Sequence, residues 1–122
     1  MKIIFYLKTC NTCTRIINEL NLDSSFVFRE IKSNPITIKE IEMIHDLSKN
    51  YESIFNKRAK LFSEKKLKNV ILTELEYKNY ILENYTFLKR PVTIIDNEIF
   101  IGNSKKNVLE LKKYLIEFSI SL

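Results

Sequence analysis

Three features of this 122-residue sequence predict an α/β fold, one mixed sheet of about four strands. An apolar run, KIIFYL, leads into a stretch of helical period and then a second short run, FVFREI, which is the order β-α-β. The middle of the chain reads as several helices. Two further runs, VTIID and EIFIG, meet at Asp96-Asn97 and precede a last helical stretch, the order β-β-α.

The elements follow in chain order. Lys2–Leu7 is expected as a buried strand, and Cys13–Leu20 as the helix after it, with Ile16, Ile17 and Leu20 inward. Phe26–Ile31 alternates as a second strand, and Ser33-Asn34-Pro35 breaks the chain. Thr37, with Glu40 three residues on, is a capping box that opens a helix to about Lys49. Ile38, Ile41, Ile44 (or His45) and Leu47 give that helix its spacing. Short charged helical turns fill Tyr51 to about Asn69. Thr73 with Glu76 is a second capping box, for a helix to about Tyr85. Val92–Asp96 and Glu98–Gly102 form a hairpin across Asp96-Asn97. Ser104 caps a final helix with Val108, Leu111, Leu115 and Phe118 on one face.

A first β-α-β unit places its strands parallel with a right-handed crossover. With the closing hairpin and helix, this is the thioredoxin-like arrangement, a single domain over residues 1–122 with a helical insertion at about 37–86. The length suffices for a core without staples.

Composition narrows the function classes. The balance of 20 Lys+Arg against 15 Asp+Glu is basic, but the lysines are scattered among glutamates, as in SEKKLKN and SKKNVLELKK. No basic stripe forms, so direct nucleic-acid binding is not expected. No apolar run approaches the roughly 20 residues of a membrane helix. MKIIFYLKTC is followed by no small-residue cleavage site and reads as a strand, so a cytoplasmic protein is expected. Only four arginines occur, Arg15, Arg29, Arg58 and Arg90. Each stands out because lysine does not replace a planar, bidentate guanidinium at an anion site.

Both cysteines lie in KTCNTCTR. Cys10 falls where the first strand turns into the helix, and Cys13 lies in the helix's first turn. A helix N-terminus offers unpaired N–H groups and partial positive charge, which lower a thiol's pKa. Cys10 is therefore the expected nucleophile, with Lys8 and Arg15 adding to the effect. Cys13 is placed to attack an adduct on Cys10 and release it as a disulfide. A metal site is not expected: one CxxC gives two ligands, His45 is the only other soft candidate, and a closed zinc site takes four. His45 reads as a core-edge or surface residue. Pro91 opens the strand facing the thiol loop, and a cis Arg90–Pro91 bond is predicted there. Arg90 then points towards Cys10, able to hold an oxyanion or carboxylate bidentately.

Three blocks extend this reading: YLKTCNTCTRIINEL, then IFNKRAKLFSEKKL with Arg58, Lys60 and Phe62 in an R-x-K-x-aromatic pattern, then FLKRPVTIIDNEIFIGNSKKNVLELKKYL. Together they resemble the arsenate-reductase (ArsC) and Spx family of thioredoxin-like proteins. The resemblance implies that Cys10 is the reactive cysteine and Arg90 the arginine before a cis-proline. It also implies that Arg58 comes from the family's insert, and that glutathione with glutaredoxin completes the reduction. In IGNSKK the chain has Lys105 and Lys106 and no arginine. Cys13 is absent from the single-cysteine reductases, whereas Spx-type regulators use CxxC as a redox switch and bind RNA polymerase. Those regulators also carry a glycine that is missing here, since Gly102 is the only one.

Two functions are expected on these grounds. The first is a thiol–disulfide oxidoreductase of the arsenate-reductase-like type, with no bound cofactor and with glutathione, glutaredoxin or thioredoxin as electron donor. In it Cys10 attacks, Cys13 resolves, and Arg90, Arg58 and Lys8 beside Pro91 form the anion subsite. The alternative is an Spx-like redox-sensing regulator whose CxxC disulfide controls binding to RNA polymerase.

Overall fold

The computed structural model describes residues 1–121, with side chains through residue 117. The elements are β1 (Lys2–Tyr6), α1 (Asn11–Leu20), β2 (Val27–Glu30), α2 (Ile38–Ser48), α3 (Lys60–Glu64), α4 (Glu74–Glu83), β3 (Val92–Ile95), β4 (Glu98–Ile101) and α5 (Lys105–Ser121). Two 3₁₀ turns, Glu52–Ile54 and Tyr85–Phe87, flank α3 and α4.

The four strands form one mixed sheet in the order β2-β1-β3-β4. β2 reaches its place beside β1 through the crossover helix α1, the connection that a parallel pair takes. β1 and β3 are antiparallel, with Lys2 opposite Ile95 and Phe5 opposite Val92. β3 and β4 pair with Ile95 opposite Glu98, so Asp96-Asn97 is a two-residue hairpin loop. Asp96 supplies the positive φ of that loop, at 53°.

The chain divides into two compact units, one made of Met1–Arg29 with the chain from Arg90 onward, the other of Glu30–Lys89. The second unit contains the helical segment expected at about 37–86. In the first unit Ile16 and Leu20 of α1, Phe26, Ile95 of β3, and Val108 and Leu111 of α5 form one buried cluster. In the second, Ile41 and Ile44 of α2 and Ile81 of α4 are buried, and Phe55 sits among Tyr77, Phe87 and Phe62, at ring distances of 4.9, 5.1 and 5.9 Å.

Local sequence explains how the helices begin. Thr37 Oγ1 accepts from the Glu40 N–H at 3.1 Å, and the Glu40 carboxylate accepts from the Thr37 N–H at 3.0 Å. Thr73 and Glu76 repeat the exchange at 3.2 and 3.0 Å. Ser104 Oγ accepts from the Asn107 N–H at 3.1 Å and opens α5. Both boxes satisfy N–H groups that a helix start leaves without intrahelical partners.

The inward faces differ in detail from their spacing. Ile38 is 60% exposed because it is the first residue of α2, while Ile41 and Ile44 carry the burial. Ile17 is half-buried, and Cys13 takes its place beside Ile16 and Leu20 on the inner face of α1. The side chain of Phe118 lies outside the described residues. Phe28, on the same side of β2 as Phe26, remains 44% exposed because β2 is an edge strand, and its ring meets that of Tyr6 nearly perpendicularly, with centroids 6.0 Å apart. Glu30 is buried instead, its Oε1 accepting the N–H groups of Lys32 and Ser33 at 2.9 and 2.7 Å.

Candidate active site

The thiol site is built by the end of β1, the start of α1 and the start of β3. Beyond Tyr6 the chain turns, the Cys10 N–H donating to the Leu7 carbonyl at 3.2 Å. Cys10 then becomes the N-cap of α1, in extended conformation (φ −93°, ψ 108°), and its carbonyl accepts the first helical bond, from the Thr14 N–H at 3.1 Å. An N-cap usually carries a side-chain oxygen aimed at the open N–H groups of the first turn. Here a sulfur occupies that place, without a side-chain capping hydrogen bond of full geometry.

The two thiols differ in access and acidity. Cys10 is partly exposed and Cys13 fully buried, and both are free thiols. Burial works against ionisation of Cys10, but the Cys13 N–H, the Cys13 thiol, the charge of Arg90 and the Thr12 N–H outweigh it and bring the pKa below the ordinary value. Burial pushes Cys13 up to about 11, and the negative charge of Cys10 adds to this, against the Leu7 N–H and Arg90. The Cys13 S–H to Cys10 hydrogen bond therefore favours a thiolate at position 10 and keeps the proton at position 13.

Arg90 arrives from the opposite strand. The antiparallel ladder ends with Phe5 opposite Val92, so Arg90 and Pro91, just before Val92, lie at the end of β1 from which the chain continues to Cys10. The Arg90–Pro91 bond is cis, as the sequence predicts. Pro91 is buried, and its carbonyl accepts the N–H of Gly102 at 2.8 Å. Gly102 has φ 88°, a conformation that glycine adopts without cost. Arg90 is half-buried, with its Nε fully so, and its charge acts on both sulfurs.

Lys8 is exposed in the loop before Cys10. Arg15 points out from α1, 65% exposed, and pairs with Glu19 at 3.6 Å, so its charge is directed along the helix and not at the thiol. Arg58 is exposed in the Glu30–Lys89 unit. His45 stacks on Tyr51 at 4.2 Å with a 34% exposed side chain, at the edge of the core as expected. Among the described residues no group of three or more His, Cys, Asp or Glu side chains is placed to hold a metal ion. No described helix is long and apolar enough to cross a membrane.

One partner was not legible in sequence. The Leu7 backbone N–H acts on the Cys13 sulfur, and no residue type announces a backbone donor.

An ArsC-family-related protein from Bacteroides fragilis superposes with a TM-score of 0.73 at 22% identity, over 90% of this chain and 96% of its own. An arsenate reductase from Vibrio cholerae gives a TM-score of 0.67 at 15% identity, over 90% of this chain and 96% of its own. An arsenate reductase (ArsC)-related protein from Brucella melitensis gives 0.66 at 15%, over 86% and 88%. At such identities these likenesses establish a shared thioredoxin-like fold. No curated protein sequence matches the chain. Residues 5–111, from the middle of β1 into α5 and including both cysteines and the Arg90–Pro91 pair, match the ArsC family profile, and the chain belongs to the ArsC family.

Proposed function

We propose that the chain is a thiol-dependent reductase of the arsenate-reductase type, with Cys10 as nucleophile and Cys13 as resolving thiol. The observation that carries this reading is the contrast within the pair. A partly exposed thiol of lowered pKa stands three residues from a buried one held protonated. Only the first is open to a substrate from solution, and only the second is sheltered from it.

The chemistry balances in two steps. The Cys10 thiolate attacks an oxidised centre, either a disulfide sulfur or the arsenic of arsenate, and a thiolate or a water leaves. The charge on Cys10 is then gone, which removes one cause of the high Cys13 pKa. Cys13 loses its proton and attacks the Cys10 sulfur. The second leaving group departs with two electrons, as a thiolate or as arsenite, and a Cys10–Cys13 disulfide remains. A reduced thiol donor, glutathione with glutaredoxin or thioredoxin, restores both thiols in the cytoplasm. Arg90 neutralises the anion at the reacting sulfur, Lys8 adds charge at the rim, and Pro91 forms the wall beside them.

The test is turnover with arsenate or a small disulfide, coupled to glutathione and glutaredoxin or to thioredoxin. Cys10→Ser is expected to abolish it. Cys13→Ser is expected to leave one adduct per chain, trapped and visible by mass spectrometry. Full turnover in Cys13→Ser would overturn the resolving role.

The buried Cys13 also favours a second reading, a redox-sensing regulator in which the same disulfide switches binding to RNA polymerase. Polymerase recovered by the wild type and lost in Cys10→Ser, with no turnover on any substrate, would select it.

A further inference from the structure

The Glu30–Lys89 unit carries a cleft of its own, about 470 Å³ in volume, and neither cysteine lines it. Its walls are two chain segments joined by backbone. The Asn56 N–H donates to the Phe87 carbonyl at 2.7 Å, and the Lys89 N–H to the Ile54 carbonyl at 2.9 Å. Asn56 Nδ2 donates to the Thr86 carbonyl at 3.1 Å while its Oδ1 accepts the Arg58 N–H at 3.1 Å. The backbone from which Lys57 and Arg58 project is therefore fixed. Phe55 closes the floor, 1% exposed and stacked on Phe87.

Charge is unbalanced in this cleft. Lys57, Arg58 and Lys89 line it against one carboxylate, Glu52. Glu52 Oε2 already accepts from Lys57 Nζ at 2.8 Å and from the Tyr77 hydroxyl at 3.2 Å. Arg58 makes no side-chain ion pair among the described residues. Arg58 and Lys89 thus leave two positive charges over a prearranged cleft of the size that takes a small organic molecule. A planar guanidinium grips two oxygens of one group, and an ammonium takes a third as a point charge. A phosphate monoester brings nearly two negative charges and three such oxygens at neutral pH.

We propose that this cleft binds a small phosphorylated metabolite, with Arg58 holding the phosphate bidentately, Lys89 supplying the second contact, and the organic part lying in the cleft beside Asn50, Ser53 and Asn56. None of Cys10, Cys13, Arg90, Pro91 and Lys8 lines this cleft, and Arg58, which the sequence placed in the anion subsite of the thiol, is assigned here instead.

The test is an NMR titration of the ¹⁵N-labelled full chain with glycerol 3-phosphate, inorganic phosphate and succinate, at matched ionic strength. Saturable shifts are expected at the amides of residues 50–58 and Lys89, with glycerol 3-phosphate the tightest of the three. Arg58→Gln and Lys89→Gln, both exposed positions, are each expected to weaken it at least tenfold, with Arg58→Lys intermediate. Cys10→Ser is expected to bind as the wild type does, which separates this site from the reductase reading. Equal binding by Arg58→Gln would overturn the proposal, as would shifts that track ionic strength alone. Succinate or inorganic phosphate binding as tightly as the ester would overturn the assignment to a phosphorylated metabolite.

Discussion

Cys10 and Cys13 share one turn of helix, yet their surroundings drive them apart. Cys10 occupies the cap, where N–H groups and the Arg90 charge favour a thiolate. Cys13 lies one turn inside, where burial raises its pKa to about 11. A thiol whose pKa is raised on folding stabilises the native state below its unfolded value, near 8.5, and that contribution is lost as pH rises towards 11. The reduced protein is therefore expected to lose thermal stability between about pH 8.5 and 11, and Cys13→Ala to lose less across the same window. Melting curves of both at pH 8 and 10.5 check this, and parallel losses would refute it. The residue types and their position after a strand were readable, because a helix start has a sequence signature. The upward shift of Cys13 was not, because it comes from burial, which outweighs the opposing backbone N–H of Leu7.

At the scale of elements, helix starts were the most legible part of the fold. Thr-x-x-Glu at 37–40 and at 73–76 states its geometry locally, and both boxes form with all four hydrogen bonds. Thr37→Ala and Thr73→Ala are each expected to cost about 1 kcal/mol, nearly additive in the double variant because the two boxes share no partner. Chemical denaturation measures both. Helix ends fell where expected, after Leu20 and near Lys49, but their backbone conformation was not legible. With one glycine in the chain, α1 and α2 end on Asn21 and Lys49 in left-handed conformation, at φ 50° and 78°. Lysine has no local preference for that conformation, so its positive φ was not announced by residue type. Lys49→Gly removes that strain and is expected to stabilise the protein by up to about 1 kcal/mol, net of the entropy that glycine adds to the unfolded chain. A lower melting temperature would show that the Lys49 side chain contributes something that the backbone does not reveal. The edge strand β2 misled in another way. Alternation in FVFREI implies one covered face, but only a strand with neighbours and a layer above it has its alternate residues buried evenly, and Phe28 is left exposed.

At the scale of the molecule, the β-α-β and β-β-α halves were legible because strands and crossover obey few topological options. The interior of the insertion was not, because its order rests on an aromatic cluster drawn from Phe55, Phe62, Tyr77 and Phe87, residues spread over 33 positions of chain. Phe55→Ala removes the centre of that cluster and is expected to cost about 3–5 kcal/mol, seen as a large fall in the urea midpoint. A change under about 1 kcal/mol would mean that the cluster packs loosely. The central claim, that the fold divides two thiols into an exposed nucleophile and a sheltered resolving partner, is tested most directly by alkylation with iodoacetamide as a function of pH, followed by mass spectrometry on the reduced wild type and on Arg90→Gln. The account predicts that Cys10 is modified first, with a midpoint below about 8.5 that rises in Arg90→Gln, while Cys13 remains unmodified until the protein unfolds. Modification of Cys13 at a rate comparable with Cys10, or a Cys10 midpoint at or above the ordinary thiol value and unmoved by the loss of Arg90, would contradict it.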